Sequence, residues 1–295
     1  MGLQLPKRAR NVAVAVVVSS ALMFLSGCSA GTTDEWKRVA MPKPATDEAP
    51  LMLHLWQWAW VAAMLTGILV WGLIIYAIVK FRRRSEDEIP VQTRYNLPIE
   101  IFYTVAPIMM VIVFFYFTVQ TQDDVLKQVK NPDHTITAVG QQWSWTFNYN
   151  YDAGYDDFAG RAVGGPVVHE AGTTARPPTL WLVKGETVEI HLYSPDVIHS
   201  FWVPAFLFKM DVFPGRDNHY AFTPSRLGTF EGRCAELCGV YHSRMLFDVK
   251  VVDQSAYDEH LSALAEAGSV GPAMGGAAVD KVPGLKSEDS TGGEE

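Results

Sequence analysis

The hydrophobic pattern near the start of the chain predicts membrane helices. Trp58–Val79 contains no charged residue, and Ile101–Val119 is a second uncharged run that contains Pro107. At 1.5 Å per residue, such runs suit helices that cross a hydrocarbon core of about 30 Å. Proline is tolerated in a membrane helix where neighbours or water satisfy the freed carbonyl. The pattern therefore predicts two transmembrane helices joined by a cytoplasmic loop within residues 55–121.

The residues beside these runs predict the orientation of the chain. The first run is followed at once by the basic residues Lys80, Arg82, Arg83 and Arg84. Basic residues at a helix end mark the cytoplasmic side, and tryptophans gather at membrane interfaces, as Trp56, Trp58 and Trp60 do at the other end of this run. We therefore expect a multi-pass plasma-membrane protein whose residues beyond about 122 lie outside the cytoplasm.

The pattern changes from Thr135 onward. Short stretches rich in β-branched and aromatic residues are separated by Gly and Pro, which is typical of strands in a sandwich or barrel. In the stretch 142–149, large aromatic residues alternate with polar ones. A period of two places these aromatics on one face of a strand: Trp143, Trp145, Phe147 and Tyr149. We predict an all-β domain over residues 122–263.

Other segments of the chain do not show this alternation. Residues 151–178 are rich in Gly, Asp and Ala and are predicted to form a long surface loop or insertion. A short helix is predicted around Ser255–Glu266. Residues 264–295 have the composition of a disordered tail, and residues 28–54 that of a flexible tether.

Residues 1–27 have the features of a bacterial signal. Basic residues precede the apolar stretch Val12–Leu25, and the following Leu25-Ser26-Gly27-Cys28 resembles a lipoprotein box. This resemblance implies cleavage before Cys28 and a lipid on that cysteine. The alternative is an uncleaved first membrane helix, for which the apolar run is short.

Net charge and cysteine content restrict the classes of partner and of site that the chain can have. A formal net charge of −8 argues against a nucleic-acid partner. Three cysteines cannot all pair within one chain, and Cys28 is far in sequence from Cys234 and Cys238. The two later cysteines therefore have to be considered together.

Residues 234–245 contain a dense set of soft metal ligands. The spacing Cys-x3-Cys-x3-His-x2-Met brings together Cys234, Cys238, His242 and Met245, and His199 on a neighbouring loop is a further candidate. Thiolate and thioether favour copper, whereas zinc sites use Cys, His and carboxylate. A disulfide between the two cysteines would not explain why His242 and Met245 stand at ligand spacing. A mononuclear blue-copper site needs only one cysteine, so the second would have no role. Two bridging thiolates that hold two coppers use every residue.

This motif resembles the CuA centre of cytochrome c oxidase subunit 2, and the resemblance covers about residues 50–260. It implies a cupredoxin-like domain outside the membrane that holds two copper ions. The implied ligand roles are bridging thiolates at Cys234 and Cys238, terminal imidazoles at His199 and His242, a weak thioether at Met245 and a backbone carbonyl at Glu236. The resemblance also implies a magnesium ion on the Glu236 carboxylate at the interface with the catalytic subunit.

Two further residues gain roles from the resemblance. Trp143, in Gly-Gln-Gln-Trp-Ser-Trp, matches the tryptophan that receives the electron from cytochrome c. Strand chemistry alone would make it a packed aromatic. Glu100 matches a carboxylate at the mouth of a proton channel, although a carboxylate at a helix N-terminus also complements the macrodipole.

The resemblance implies a function and a set of partners. The chain would pass electrons from cytochrome c to haem in subunit 1, where oxygen is reduced to water with proton translocation, and it would assemble with other oxidase subunits. The lipoprotein-like start and the segment 151–178 make a cytochrome tethered within a reductase–oxidase supercomplex a candidate donor. The alternatives are a membrane-anchored copper-delivery protein and a quinol-oxidase subunit that has lost its copper. The remaining histidines have no predicted ligand role: His54, His134, His169, His191, His219 and His260.

Overall fold

The computed structural model describes residues 19, 30–85, 88–89, 92–153 and 160–275. The chain divides into two units, Met1–Pro42 and Lys43–Glu295. In the first unit, helix α1 spans Ala30–Lys37. The predicted signal segment, apart from residue 19, and Cys28 lie outside the described residues.

Two long helices follow in the second unit. Helix α2 spans Ala49–Lys80, and helix α3 spans Leu97–Val125 and continues through Pro107. The most apolar window of each helix has no residue buried within the protein. Outward-facing apolar side chains, such as Ile68 at 71% exposure, suit contact with lipid. The predicted hairpin of membrane helices is confirmed.

Beyond α3, the described residues form a β sandwich and one further α-helix. The strands are β1 (His134–Gln141), β2 (Ser144–Tyr149), β3 (Tyr151–Asp152), β4 (Arg161–Ala162), β5 (Val168–Ala171), β6 (Thr179–Val183), β7 (Val188–Tyr193), β8 (His199–Val203), β9 (Phe208–Val212), β10 (Asn218–Phe222), β11 (Gly228–Cys234) and β12 (Leu246–Val252). Helix α4 spans Gln254–Glu266, and the Asp253 side chain caps it by accepting a hydrogen bond from the Ala256 N–H.

Two five-stranded sheets form the sandwich. The first has the order β10-β7-β1-β2-β5 and the second β6-β12-β11-β8-β9, while β3 and β4 form a separate pair. Most neighbours are antiparallel, but β1 pairs with β7 and β12 with β6 in parallel. The inward faces of both sheets form one hydrophobic core.

Aromatic side chains fill the centre of that core. Trp145, Phe201 and Phe247 are at most 1% exposed, and the ring of Phe247 lies 5.4 Å from Trp145 and 4.9 Å from Phe201. A Cβ added to Gly232 would lie 2.1 Å from the Phe247 ring, so only glycine lets the strand approach so closely. Trp145, Phe147 and Tyr149 share a strand as predicted, whereas Trp143 lies in the turn before β2.

The prediction of a long loop over 151–178 is wrong where this segment forms strands, since β3 pairs with β4 and β5 joins the first sheet. Val168–Ala171 forms β5, whose residues pair with Thr146–Tyr149 of β2. Four residues are too few for a period of two to be visible, and the strand forms because β2 has an edge to pair with. That 151–178 is an insertion stays a prediction.

The prediction of a disordered tail over residues 264–295 is likewise wrong for the first residues of that segment. Helix α4 continues to Glu266, and beyond it Gly271 donates its N–H to the Val167 carbonyl while Ala273 bonds the side chain of Asn148. These bonds satisfy backbone groups at the β5 edge, a long-range partner that composition does not reveal. Residues 276–295 lie outside the described residues.

The segment before α2 is not a free tether. The Ala45 N–H donates to the Ala205 carbonyl, the Ser225 N–H donates to the Ala45 carbonyl, and the Asp47 N–H donates to the Thr223 carbonyl. Ala45 is fully buried and Thr46 is 2% exposed. The tether predicted over 28–54 is therefore wrong for residues 45–48, because their backbone is held by the β domain. It is also wrong for Ala30–Lys37, which forms α1, and for residues 49–54, which belong to α2.

Candidate metal centre

Three structural elements bring the predicted ligands to one end of the second sheet. His199 begins β8 and Cys234 ends the antiparallel neighbour β11, where Cys234 pairs with Phe201. Cys238 follows in the loop after β11, and a 3₁₀ turn over His242–Arg244 leads to Met245, just before β12. Because β8 and β11 are antiparallel neighbours, His199 at the start of β8 and Cys234 at the end of β11 lie at the same end of the sheet.

The donor atoms converge closely. The Cys234 and Cys238 Sγ atoms lie 3.8 Å apart, and no disulfide joins them. His199 Nδ1 lies 3.9 Å from Cys234 Sγ, whereas His242 Nδ1 and Met245 Sδ lie 3.5 Å and 3.7 Å from Cys238 Sγ. The Glu236 carbonyl oxygen lies 3.2 Å from Cys234 Sγ. All six predicted ligand groups are thus in one place, and the predicted alternative of a disulfide is not formed.

The donor set and its spacing fit soft metal ions. A thiolate bond of about 2.3 Å lets one ion contact two sulfurs up to roughly 4.6 Å apart, so the separation of 3.8 Å allows both sulfurs to bind the same ion. One imidazole lies beside each sulfur, with the thioether beside Cys238 and the carbonyl beside Cys234. Such a set of sulfur and imidazole ligands suits copper.

Burial protects most of the donors. His199 and Met245 are fully buried, and both cysteines are less than 5% exposed. The hydrogen bond between the two sulfurs lowers the pKa of Cys234 and raises the pKa of Cys238. The two thiols therefore lose their protons in separate steps, and a metal ion that binds both thiolates releases the more tightly held proton.

Asp196 holds His199 in place. Its Oδ1 lies 2.8 Å from His199 Nε2, and its carboxylate also accepts the N–H groups of Gln142 and Val197 at 2.7 Å and 2.6 Å. Burial acts to raise the pKa of Asp196, but the bonds from His199 and from these amides lower it. A carboxylate on the far nitrogen fixes the orientation of a ligand imidazole and leaves Nδ1 facing the thiols.

Trp143 lies against the same loop. Its Nε1–H donates to the Cys238 carbonyl at 3.1 Å, and Gln142 Nε2 donates to that carbonyl at 2.7 Å. The Trp143 ring meets Tyr241 edge to face at 5.2 Å between centroids. Just outside, Leu237 and Val240 are 77% and 83% exposed, so the loop presents an apolar surface beside a buried tryptophan.

Other predicted site residues lie apart from this cluster. Glu100 is in the first turn of α3 and accepts the N–H of Asn96 at 2.8 Å, which is the capping arrangement expected of a carboxylate there. The side chain of Glu236 is exposed. Neither observation tests the proton or magnesium role.

Sequence reasoning left the roles of Asp196 and Gln142 unassigned at this site. Asp196 stands three residues before His199, and Gln142 stands next to Trp143. A polar residue near a ligand histidine was the only available signal, because the β1–β2 turn meets the metal loop only in the fold.

Comparison with known proteins supports the family resemblance found in the sequence. A family model described as cytochrome c oxidase subunit II, periplasmic domain, matches residues 134–252. The probable cytochrome c oxidase subunit 2 of Streptomyces coelicolor is 46% identical over 290 residues, which cover 89% of each chain. The chain belongs to the cytochrome c oxidase subunit 2 family. Cytochrome c oxidase subunit 2 of Corynebacterium glutamicum is 34% identical, with 81% of each chain covered.

Among solved structures, the periplasmic domain of subunit II of cytochrome oxidase (CoxB) from Bradyrhizobium japonicum is similar. It is 26% identical, has a TM-score of 0.40 and covers 48% of this chain and 99% of its own.

Membership settles the broad assignment. As a cytochrome c oxidase subunit 2, the chain is part of a haem–copper oxidase, an oxidoreductase with further subunits. The family implies a copper site, and the cluster at Cys234 and Cys238 is where this structure gathers suitable groups. The protein is a membrane protein with a cupredoxin-like extracytoplasmic domain.

Proposed function

We propose that this subunit accepts electrons from cytochrome c and passes them to haem in subunit 1. Oxygen is reduced to water there, and the reaction is coupled to proton translocation. The observation that carries the proposal is the convergence of two unbonded, buried thiols, 3.8 Å apart, with two imidazoles and a thioether.

The proposed ligand roles are those that the family resemblance implies, and the closeness of the donor atoms supports them. Cys234 and Cys238 would hold both copper ions through their thiolates, His199 and His242 would each bind one ion, and the Met245 thioether and the Glu236 carbonyl would be weak ligands. The copper pair, when bound, supplies a one-electron redox centre. The Glu236 carboxylate, exposed on the same loop, is proposed to bind magnesium against subunit 1, since a hard oxygen ligand suits that ion.

Trp143 is the proposed point of electron acceptance. It is 9% exposed and donates a hydrogen bond to the backbone of a bridging cysteine. Leu237 and Val240 offer an apolar contact for a donor on the same loop, where desolvation of a partner is least costly. A cytochrome tethered within a supercomplex would meet this surface as a diffusing one would.

Two proposed roles lie at the membrane. Glu100, at the predicted cytoplasmic end of α3, is proposed to stand at the entrance of a proton channel. Cys28 is proposed to carry a lipid after removal of residues 1–27, which adds an anchor on the outer face.

Metal analysis of the copper-loaded full chain, with electron paramagnetic resonance, tests the proposal. We expect about two coppers per chain and a mixed-valence signal shared over both nuclei. Cys238→Ser abolishes that signal, because a hydroxyl is a poor bridge for soft ions. Ser243→Ala, on an exposed residue of the same loop, leaves it unchanged.

The alternatives predict different results. One copper per chain, or none, contradicts the binuclear centre, and a metal-free chain that still supports an oxidase indicates a subunit without copper. A copper-delivery protein purifies without haem and transfers its copper to an acceptor. Purification from membranes with a haem-containing partner excludes that function.

A further inference from the structure

A second cluster of metal-ligating groups lies on the outer face of the first sheet. His219 of β10 stands directly opposite His191 of β7 in the antiparallel register, and their rings stack at 5.1 Å between centroids. The neighbours Ile190 and Leu192 are fully buried in the core, so the alternation of the strand turns His191 to the opposite face.

Asp217 joins the two rings. Its Oδ1 lies 3.3 Å from His191 Nδ1, and its Oδ2 lies 3.1 Å from His219 Nδ1. One ligand atom from each residue can be chosen so that all three lie within 4.8 Å of one another. With bonds of about 2.0–2.2 Å, neighbouring ligand atoms around a tetrahedral ion stand roughly 3.3 Å apart. The nitrogen and oxygen atoms are therefore close to the spacing that such an ion requires.

The charge around the cluster favours a cation. Besides Asp217, the Asp152 Oδ1 lies 3.8 Å from His191 Nδ1, and the Glu189 Oε2 lies 3.5 Å from His191 Nε2. Arg161 pairs with Asp152 at 3.1 Å. Three carboxylates surround two imidazoles.

Glu189 supports a ligand role for His191 independently. Its carboxylate lies 3.5 Å from Nε2 while Nδ1 faces Asp217, and a similar division is seen at His199, where Asp196 is hydrogen-bonded to Nε2 at 2.8 Å and Nδ1 faces the thiols. A carboxylate on the far nitrogen is characteristic of metal-bound histidine.

The cluster can be reached by an ion. A cavity of about 180 Å³ is lined by Glu189, Asp217 and His219, together with Lys127 and its two neighbours just after α3, so two carboxylates face one ammonium group there. His219 and Asp217 are about 30% exposed at their side chains, whereas His191 is 10% exposed. The ligands thus have one buried anchor and two partners that open to the cavity.

We propose that His191, Asp217 and His219 bind a divalent transition-metal ion of the zinc class, with Glu189 as the positioning residue for His191. Two imidazoles and a carboxylate, without sulfur, match borderline ions and not the soft copper pair. Water or Asp152 completes the coordination. The ion ties β7 to β10 at the side of the domain where α3 ends.

Zinc titration of the full chain carrying Cys234→Ser and Cys238→Ser tests this site. Removing the thiols prevents zinc from occupying the copper cluster and makes the result independent of the proposed function. We expect one Zn²⁺ per chain by competition with a chromophoric chelator. His219→Gln or Asp217→Asn lowers the affinity more than about 100-fold, since loss of an outer-shell partner alone costs about 10–100-fold.

A matched control and a second readout complete the experiment. His134 also pairs through Nε2 with a carboxylate, Glu186 at 2.6 Å, but lies outside the cluster, so His134→Gln leaves zinc affinity unchanged. Zinc X-ray absorption should show two imidazoles with oxygen ligands. No zinc binding, binding that both ligand variants leave unchanged, or fewer than two imidazoles would overturn the site and leave a hydrogen-bonded network.

Discussion

The two histidine clusters of the β domain share one feature and differ in another. At both, a carboxylate contacts Nε2 of a buried histidine and leaves Nδ1 for the remaining donors. His199 then faces two thiols at the end of the second sheet, whereas His191 faces a carboxylate and an imidazole on the outer face of the first. The comparison teaches that a carboxylate near Nε2 accompanies the buried histidine at both clusters, and that the remaining donors decide which metal fits.

The largest effects are expected when each of the two carboxylates near Nε2, Asp196 and Glu189, is replaced in turn by its amide. Asp196→Asn should weaken copper binding about 10–100-fold without changing zinc affinity, and Glu189→Gln should do the reverse. Both effects arise because the amide no longer offers a negative charge to the far nitrogen of the histidine. Chelator competition with each metal measures them.

Asp248→Asn is the control for this pair, because it removes an exposed carboxylate of the same domain. If Asp196→Asn altered both metals alike, the two clusters would not be independent. If it altered neither, the contact between Asp196 and His199 would only be structural.

A smaller effect is expected from the packing behind His199. A Cβ on Gly140 would lie 3.0 Å from the Trp145 ring and 3.3 Å from the His199 Cβ. Gly140→Ala should therefore lower the free energy of unfolding by about 1–3 kcal/mol and alter the copper spectrum. Zinc affinity at His191, measured in the same variant, is the internal control. Unchanged copper spectra would show that His199 tolerates the displacement.

The smallest thermodynamic effect is expected at Trp143. Trp143→Phe removes one hydrogen bond to the Cys238 carbonyl, worth about 1 kcal/mol, while Gln142 still donates to that carbonyl. Copper content should therefore stay the same, and electron transfer from reduced cytochrome c should slow. Stopped-flow reduction measures the rate. Trp181→Phe, at a tryptophan stacked on His260, is the control, and an unchanged rate would leave Trp143 as a packed aromatic.

Local sequence patterns predicted the cluster around Cys234 and Cys238 but not the cluster around His191 and His219. Cys234, Cys238, His242 and Met245 lie close together in sequence, and each membrane helix is one continuous run, so a short window contains the whole signal. His191 and His219 meet only through strand pairing. Each looks like an isolated polar residue in its own strand, and for this reason they had no predicted role.

The same limit explains the misplaced segments. The edge strand Val168–Ala171 and the bonds of Ala45 and Ala273 depend on partners far away in the chain. Composition describes these pieces as loop, tether and tail because nothing local stabilises them. The β-rich class itself was predictable, since alternation along residues such as Trp145 and Phe147 is a local property.

The residues that precede α2 have a mechanical consequence. Because Ala45 and Asp47 are hydrogen-bonded to the β domain, and the chain after α3 borders the same domain at β10, the domain is joined to the hairpin at two places. A domain attached at two places can rotate less relative to the helices than a domain attached by a single linker. We therefore expect the exposed face that carries Leu237 and Val240 to change its orientation relative to α2 and α3 less than it would on a single linker.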